Sequence, residues 1–244
     1  MSPSDTAPWI ARSRTRVWLA CAAGCALVVL AFGAIVTQDR SPLDSFDHLG
    51  LRAEQWAHGH AAVLAVLRVI EVAFATLGMA IWTTLIVLVM LARRRWRAAA
   101  FVVVVMVSTS LLTTAVKLML GRSRPQWQDS VDSLTSKSFP SGHASSSAAL
   151  AGVIILLVWG MVRHGVLRTT LTCLAVVMWL VVCLDRVFLG RHFPSDVVAG
   201  SFLGVAVVLV ALVVFDPLSH RRPTATDAEE AAESIVAPHA DKMA

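Results

Sequence analysis

The chain has 244 residues, 57% of them hydrophobic, and a formal net charge of +5. Its mean hydropathy is +0.70, whereas a soluble domain is nearer ~45–50% apolar, so an ordinary soluble globular domain is excluded. No basic stripe interleaves with aromatics on a polar segment, which excludes a nucleic-acid surface, and the length favours one domain.

Val17 to Thr37 is an uncharged run behind Arg12, Arg14 and Arg16. It is long for a signal-peptide core and long enough to cross a bilayer, which takes about 20 helical residues. Asp39 to His60 is polar and loosely amphipathic, with Leu43, Phe46, Leu49 and Trp56 suited to a short helix lying at the interface. A second span is predicted over about Val69 to Ala92, with Glu71 near its start and Arg93, Arg94, Arg95 and Arg97 behind it. The third runs from about Ala98 to Val116 and ends at Lys117; Gly121 to Ser141 is then a polar loop. Ala144 to Val162, Thr169 to Leu184 and Val197 to Phe215 complete six spans.

The expectation is an all-α polytopic membrane protein: a cytoplasmic segment 1–16, one six-span domain over 17–215, and a disordered cytoplasmic tail over 216–244. Six spans put both termini on one side. The basic clusters at Arg12–Arg16, Arg93–Arg97, Arg163–Arg168 and His220–Arg222 share that side, which the positive-inside rule makes the cytoplasm. Cys21, Cys25, Cys173 and Cys183 all fall in apolar runs without a ligand set, so they read as small core residues rather than a zinc site.

Three segments carry unusual polar content at the opposite membrane boundary: Lys117 to Pro125, Phe139 to His143, and Asp185 to Asp196. Ionisable groups at such depth are functional candidates. Lys117, Arg124 and Arg186 suit a dianionic phosphate, with Arg able to bind two oxygens at once. Ser141 and Gly142 precede a helix whose free N–H groups favour an anion. His192 lies four residues before Asp196, a carboxylate that can fix its tautomer and make the other nitrogen nucleophilic. His143 is then free to donate a proton to a leaving oxygen. Together these groups make a phosphoryl-transfer site that needs no metal and no cofactor, since positioning and charge stabilisation supply most of the catalysis.

Singly, each residue has a plainer explanation: Lys117 as a snorkelling helix end, Asp196 as an ordinary N-terminal acid. Arg122, Lys137 and Arg191 read as solvated loop charges. His48, His58, His60, His164 and His220 read as interfacial or loop residues. Glu71 either sits at the water boundary or lines the substrate entrance. The case for function rests on the set occurring together.

That set resembles the type 2 phosphatidic acid phosphatase family, the integral-membrane branch of a superfamily that includes vanadium haloperoxidases. Its motifs read K-x6-RP, PSGH and SR-x5-H-x3-D. Lys117 to Pro125 matches the first, Pro140 to His143 the second, and Arg186, His192 and Asp196 the third at the right spacing. The resemblance implies that His192 attacks phosphorus, Asp196 orients it, His143 protonates the departing oxygen, and Lys117, Arg124, Ser141, Gly142 and Arg186 bind phosphoryl oxygens. It implies a membrane-embedded hydrolase acting on an isoprenoid diphosphate of the undecaprenyl type at the outer leaflet. A glycerolipid phosphate, a lipid phosphotransferase and a non-enzymatic lipid-phosphate binder or transporter are the alternatives. Asp185 departs from the pattern, which has Ser there. A carboxylate facing phosphate would repel it, so Asp185 is expected to turn away and pair with Arg186 or Arg191.

Overall fold

Five of the six expected apolar runs each form one helix, and the run from Val69 to Ala92 is split between two. The computed structural model describes residues 6–7, 12–38, 42–127, 136–217 and 220–221. The predicted terminal segments 1–16 and 216–244 fall largely outside them. Among the described residues eight helices follow in chain order: α1 (Arg12–Val36), α2 (Asp44–His58), α3 (Ala61–Ala73), α4 (Thr76–Ala92), α5 (Trp96–Leu120), α6 (Gly142–Met161), α7 (Gly165–Phe188) and α8 (Pro194–Phe215). Helices α1, α5, α6, α7 and α8 are each long and apolar enough to cross a membrane. α4 is apolar but has only 17 residues, about 25 Å at 1.5 Å per residue.

The second span is therefore shorter than the sequence suggests. The apolar run from Val69 to Ala92 breaks at Phe74 and Ala75, where the amide N–H groups bond back to Ile70 and Val72. Gly78 lets the next helix fold tightly back, since a Cβ there would lie 2.0 Å from the Ala73 carbonyl oxygen. Trp82 Nε1 also donates to that oxygen at 3.3 Å. Glu71 thus belongs to α3, which turns 115° from α2.

Helices α5 to α8 alternate in direction. Arg97 at the start of α5 donates to the Phe215 carbonyl at the end of α8. At the other end, the Ser141 amide donates to the Asp196 carbonyl at 3.0 Å and joins the starts of α6 and α8. β1 (Thr6–Ala7) pairs antiparallel with β2 (His220–Arg221).

α6 and α8 form the buried centre. Small residues allow close approach, as is usual where helices meet within lipid. A Cβ on Gly204 would lie 2.2 Å from the Ser145 carbonyl oxygen, and one on Gly200 would lie 2.5 Å from that of Ser141. The largest apolar cluster lies toward the far end, around Phe101, Val102, Leu150, Val153 and Leu212. Outward faces carry large apolar residues such as Leu30, Leu111 and Val166. The cysteines depart from the core expectation: Cys183 is buried, but Cys21 and Cys173 face outward.

The amphipathic segment forms α2 as expected, with Phe46, Leu49 and Trp56 exposed. Its inner face is built from Asp47, Gly50 and Ala57. A Cβ on Gly50 would lie 3.1 Å from Pro194 Cδ, so α2 lies directly against the start of α8.

Candidate active site

The three motif segments converge at one end of the bundle. Lys117 is in the last turn of α5, His143 in the first turn of α6, Arg186 in the last turn of α7, and Asp196 in the first turn of α8. His192 sits in the short α7–α8 connection, whose amide N–H donates to the Arg186 carbonyl at 3.1 Å. That bond and the Ser141–Asp196 backbone bond hold both motif histidines at the same end.

His192 is nearly fully buried. Its Nδ1 lies 3.4 Å from Asp196 Oδ2, and its Nε2 lies 3.4 Å from Arg124 Nη1. The Nδ1 contact is longer than a normal hydrogen bond of about 2.9 Å. The carboxylate on that side selects the tautomer with the proton on Nδ1, leaving the Nε2 lone pair toward the cations. Burial, which penalises the charged ring, pushes the His192 pKa down to about 4; the nearby Asp196 carboxylate opposes this, and the charges of Arg124 and Lys117 add to the lowering. The ring is neutral at neutral pH.

Asp196 is fully buried and heavily engaged. Its Oδ2 accepts a very short bond from Ser138 Oγ and one from the Phe193 amide at 3.0 Å. Its Oδ1 accepts from Arg122 Nη1 at 2.6 Å.

Arg124 stitches the segments together. Its Nε and Nη2 donate to the Ser136 carbonyl and hydroxyl at 2.8 and 2.9 Å, and Nη1 donates to the Arg191 carbonyl at 2.5 Å. Burial brings its pKa down to about 10, still far above neutrality, so the guanidinium keeps its charge. Lys117 Nζ donates to the Lys137 carbonyl at 2.6 Å, while the Lys137 side chain itself is exposed, as expected. Ser141 is buried and caps α6, its Oγ accepting from the Ala144 amide at 3.4 Å. Nothing crowds Gly142: a Cβ there would meet only Thr113 at 3.8 Å. The buried Nε2 of His143 has no hydrogen-bond partner among the described residues.

Asp185 does pair with Arg186, its Oδ2 accepting from Nε at 2.8 Å and from Nη2 in a very short contact. Arg122 and Arg191 correct the sequence reading, because neither is a solvated loop charge. Arg122 binds Asp196, Asp47 Oδ2 at 2.7 Å and Ser195 Oγ at 2.8 Å, and lies 4.0 Å over the Phe193 ring. Arg191 is buried and pairs with Glu71. Glu71 is no idle boundary residue either; it also accepts from Arg186 Nη1 at 3.0 Å. Sequence reasoning missed Asp47 as well, which accepts from the Ser195 amide and hydroxyl at 2.9 and 2.8 Å. Its signal was the spacing of Asp47, Gly50, Glu54 and Ala57, one narrow face of α2.

Beside His143 a groove opens between α4, α5 and α6, with a volume of about 450 Å³. Lys117, Gly142 and His143 line one end, and Met79, Met106 and Val107 the other.

Residues 98–219 match the profile of the PAP2 superfamily. The chain belongs to that superfamily. Its relatives include glucose-6-phosphatase catalytic subunit 1 of Felis catus, 40% identical over 77 residues, which cover 28% of this chain and 21% of that protein. Decaprenylphosphoryl-5-phosphoribose phosphatase of Mycobacterium tuberculosis (strain CDC 1551 / Oshkosh) is 35% identical over 99 residues, 39% of this chain and 49% of that protein. The chain thus spans from about a fifth to about half the length of these curated relatives. The crystal structure of a transmembrane PAP2-type phosphatidylglycerolphosphate phosphatase from Bacillus subtilis superposes with a TM-score of 0.69 at 22% identity, covering 78% of this chain and 93% of that one. This likeness shows a shared fold: a multi-span helical membrane protein of the PAP2 kind.

Proposed function

We propose that this chain hydrolyses a lipid-linked phosphate through a phosphohistidine intermediate. His192 Nε2 attacks phosphorus, forming a P–N bond as the P–O bond to the lipid breaks. His143 gives its proton to the departing oxygen. Water then attacks phosphorus, His143 takes the proton from that water, the P–N bond breaks and inorganic phosphate leaves. Asp196 holds Nδ1–H and stabilises the positive ring. Lys117, Arg124, Arg186, the Ser141 and Gly142 segment and the α6 N-terminus hold the phosphoryl oxygens.

The observation that carries this reading is the setting of His192: one ring nitrogen beside Asp196, the other beside Arg124. A pure lipid-phosphate binder has no need of that arrangement. The groove ending at His143 supports a lipid leaving group, because the acid must stand beside the oxygen it protonates.

An isoprenoid phosphate or diphosphate, such as an undecaprenyl-type carrier, is the substrate class we favour. The Mycobacterium tuberculosis relative, a decaprenylphosphoryl-5-phosphoribose phosphatase, supports this. The active end faces away from the cytoplasm in this reading. Arg14, Arg16, Arg93 to Arg97 and Arg163 lie toward the other end, while Arg122, Arg124, Arg186 and Arg191 are engaged in the site. Phosphate release in detergent micelles tests the reading, using an isoprenoid diphosphate, phosphatidate and phosphatidylglycerol phosphate with wild type and His192→Ala. We expect release from the isoprenoid substrate by the wild type alone. Equal release by the variant, or release confined to glycerolipids, contradicts it.

A further inference from the structure

Arg186, the arginine of the third motif, is already held by two carboxylates. Asp185 Oδ2 takes its Nε and Nη2 donors, and Glu71 Oε1 takes Nη1 at 3.0 Å. The same Glu71 carboxylate accepts from Arg191 Nε at 3.0 Å and Nη2 at 3.3 Å. Glu71 is therefore the bridge between two buried guanidiniums, and it arrives from α3, outside all three motifs. Its side chain keeps 21% of its surface accessible, unlike Arg186 and Asp185.

The charge count follows from these pairs. Lys117, Arg124, Arg186 and Arg191 share this end of the bundle with Glu71, Asp185 and Asp196; Arg122 and Asp47 add one charge of each sign. Without Glu71 and Asp185 the same end would carry two more uncompensated positive charges. A bound oxyanion is attracted by the net field as well as by the donors it touches.

We propose that Glu71, together with Asp185, is a specificity-setting counter-charge that weakens the site's grip on a bare oxyanion. It acts through Arg186 and Arg191 rather than on the substrate. Inorganic phosphate then leaves readily, and tight binding requires the lipid portion of the substrate as well as the phosphoryl group. This inference rests on the phosphatase reading above. It differs from a merely structural role in sign: a structural carboxylate, once removed, loosens the arginines and weakens anion binding.

The test is orthovanadate binding to the full-length protein in detergent, by calorimetry and by inhibition of phosphate release. Glu71→Gln is expected to bind vanadate about tenfold more tightly than wild type and to be inhibited more strongly by inorganic phosphate. Glu71→Asp, which keeps the charge, is expected to stay near wild type. Unchanged or weaker binding by Glu71→Gln overturns the inference while leaving the phosphatase reading intact. A wild type that neither binds vanadate nor releases phosphate overturns both. If Glu71→Gln does not fold, Asp185→Asn carries the same expectation of tighter binding, and weaker or unchanged binding there overturns it.

Discussion

Arg122 Nη1 donates to Asp196 Oδ1 at 2.6 Å, on the side of the carboxylate away from His192. The same guanidinium reaches Asp47 on α2 through Nη2. One arginine therefore ties the carboxylate beside His192 to a helix more than a hundred residues away in sequence. Truncating it takes the guanidinium from two buried carboxylates.

Arg122→Ala is accordingly expected to destabilise the protein by about 3–5 kcal/mol, the usual cost of breaking a buried ion pair from one side. It should also lower turnover at least tenfold, because Asp196 loses its position. Arg122→Lys should recover little, since a single ammonium cannot reproduce a fork spanning Asp47 and Asp196. Thermal unfolding in detergent and phosphate release measured on the same samples check both expectations.

The α6–α8 contact sets the relation between the two histidine segments. Gly200→Ala drives a Cβ to 2.5 Å from the Ser141 carbonyl oxygen and 3.3 Å from the Ser141 amide nitrogen. Backbone cannot yield as a flexible side chain does, so we expect a cost of about 1–3 kcal/mol and a clear drop in turnover. Gly24→Ala, with nothing within 4 Å, should be silent in both. A comparison of the two variants by thermal unfolding and activity decides the point.

Burial holds the His192 pKa down at about 4, against 6.5 for an ordinary imidazole. The sign is that of a depressed base: the neutral ring is favoured in the folded state. Its contribution to stability is present above pH 6.5 and is lost as pH falls from there toward 4. Nitrogen-15 spectra of histidine-labelled protein, assigned by comparison with His192→Gln, should show a neutral ring down to about pH 5. Titration near 6.5 would contradict that environment.

The groove between α4, α5 and α6 offers a substrate-size test. Ser110 lines it away from the charged end. Ser110→Trp is expected to abolish release from a long-chain isoprenoid substrate while sparing a short water-soluble phosphoester. Equal loss on both substrates would remove the groove from the account.

The motif segments were legible because hydropathy marks where spans end. Lys117, His143, Arg186 and Asp196 fall at such ends, so alternating helices carry them to one face. Asp185 was legible too, since only a neighbouring arginine makes its charge tolerable there. Glu71, Asp47, Arg122 and Arg191 were not, because each pairing is tertiary. Asp47 meets Ser195 and Glu71 meets Arg191 across long sequence separations, and a boundary charge looks the same in sequence whether solvated or paired. The break at Phe74 and Ala75 was hidden for another reason. The run on either side is uniformly apolar, and hydropathy does not register a turn that Gly78 makes sterically possible.

The central claim is that His192 accepts the phosphoryl group. The most direct measurement is alkaline quenching of enzyme mixed with substrate labelled in its terminal phosphate, followed by location of the label. Wild type should carry base-stable label on His192, and His192→Ala should carry none. Turnover by the wild type with no trapped label, or label persisting in His192→Ala, would contradict the account.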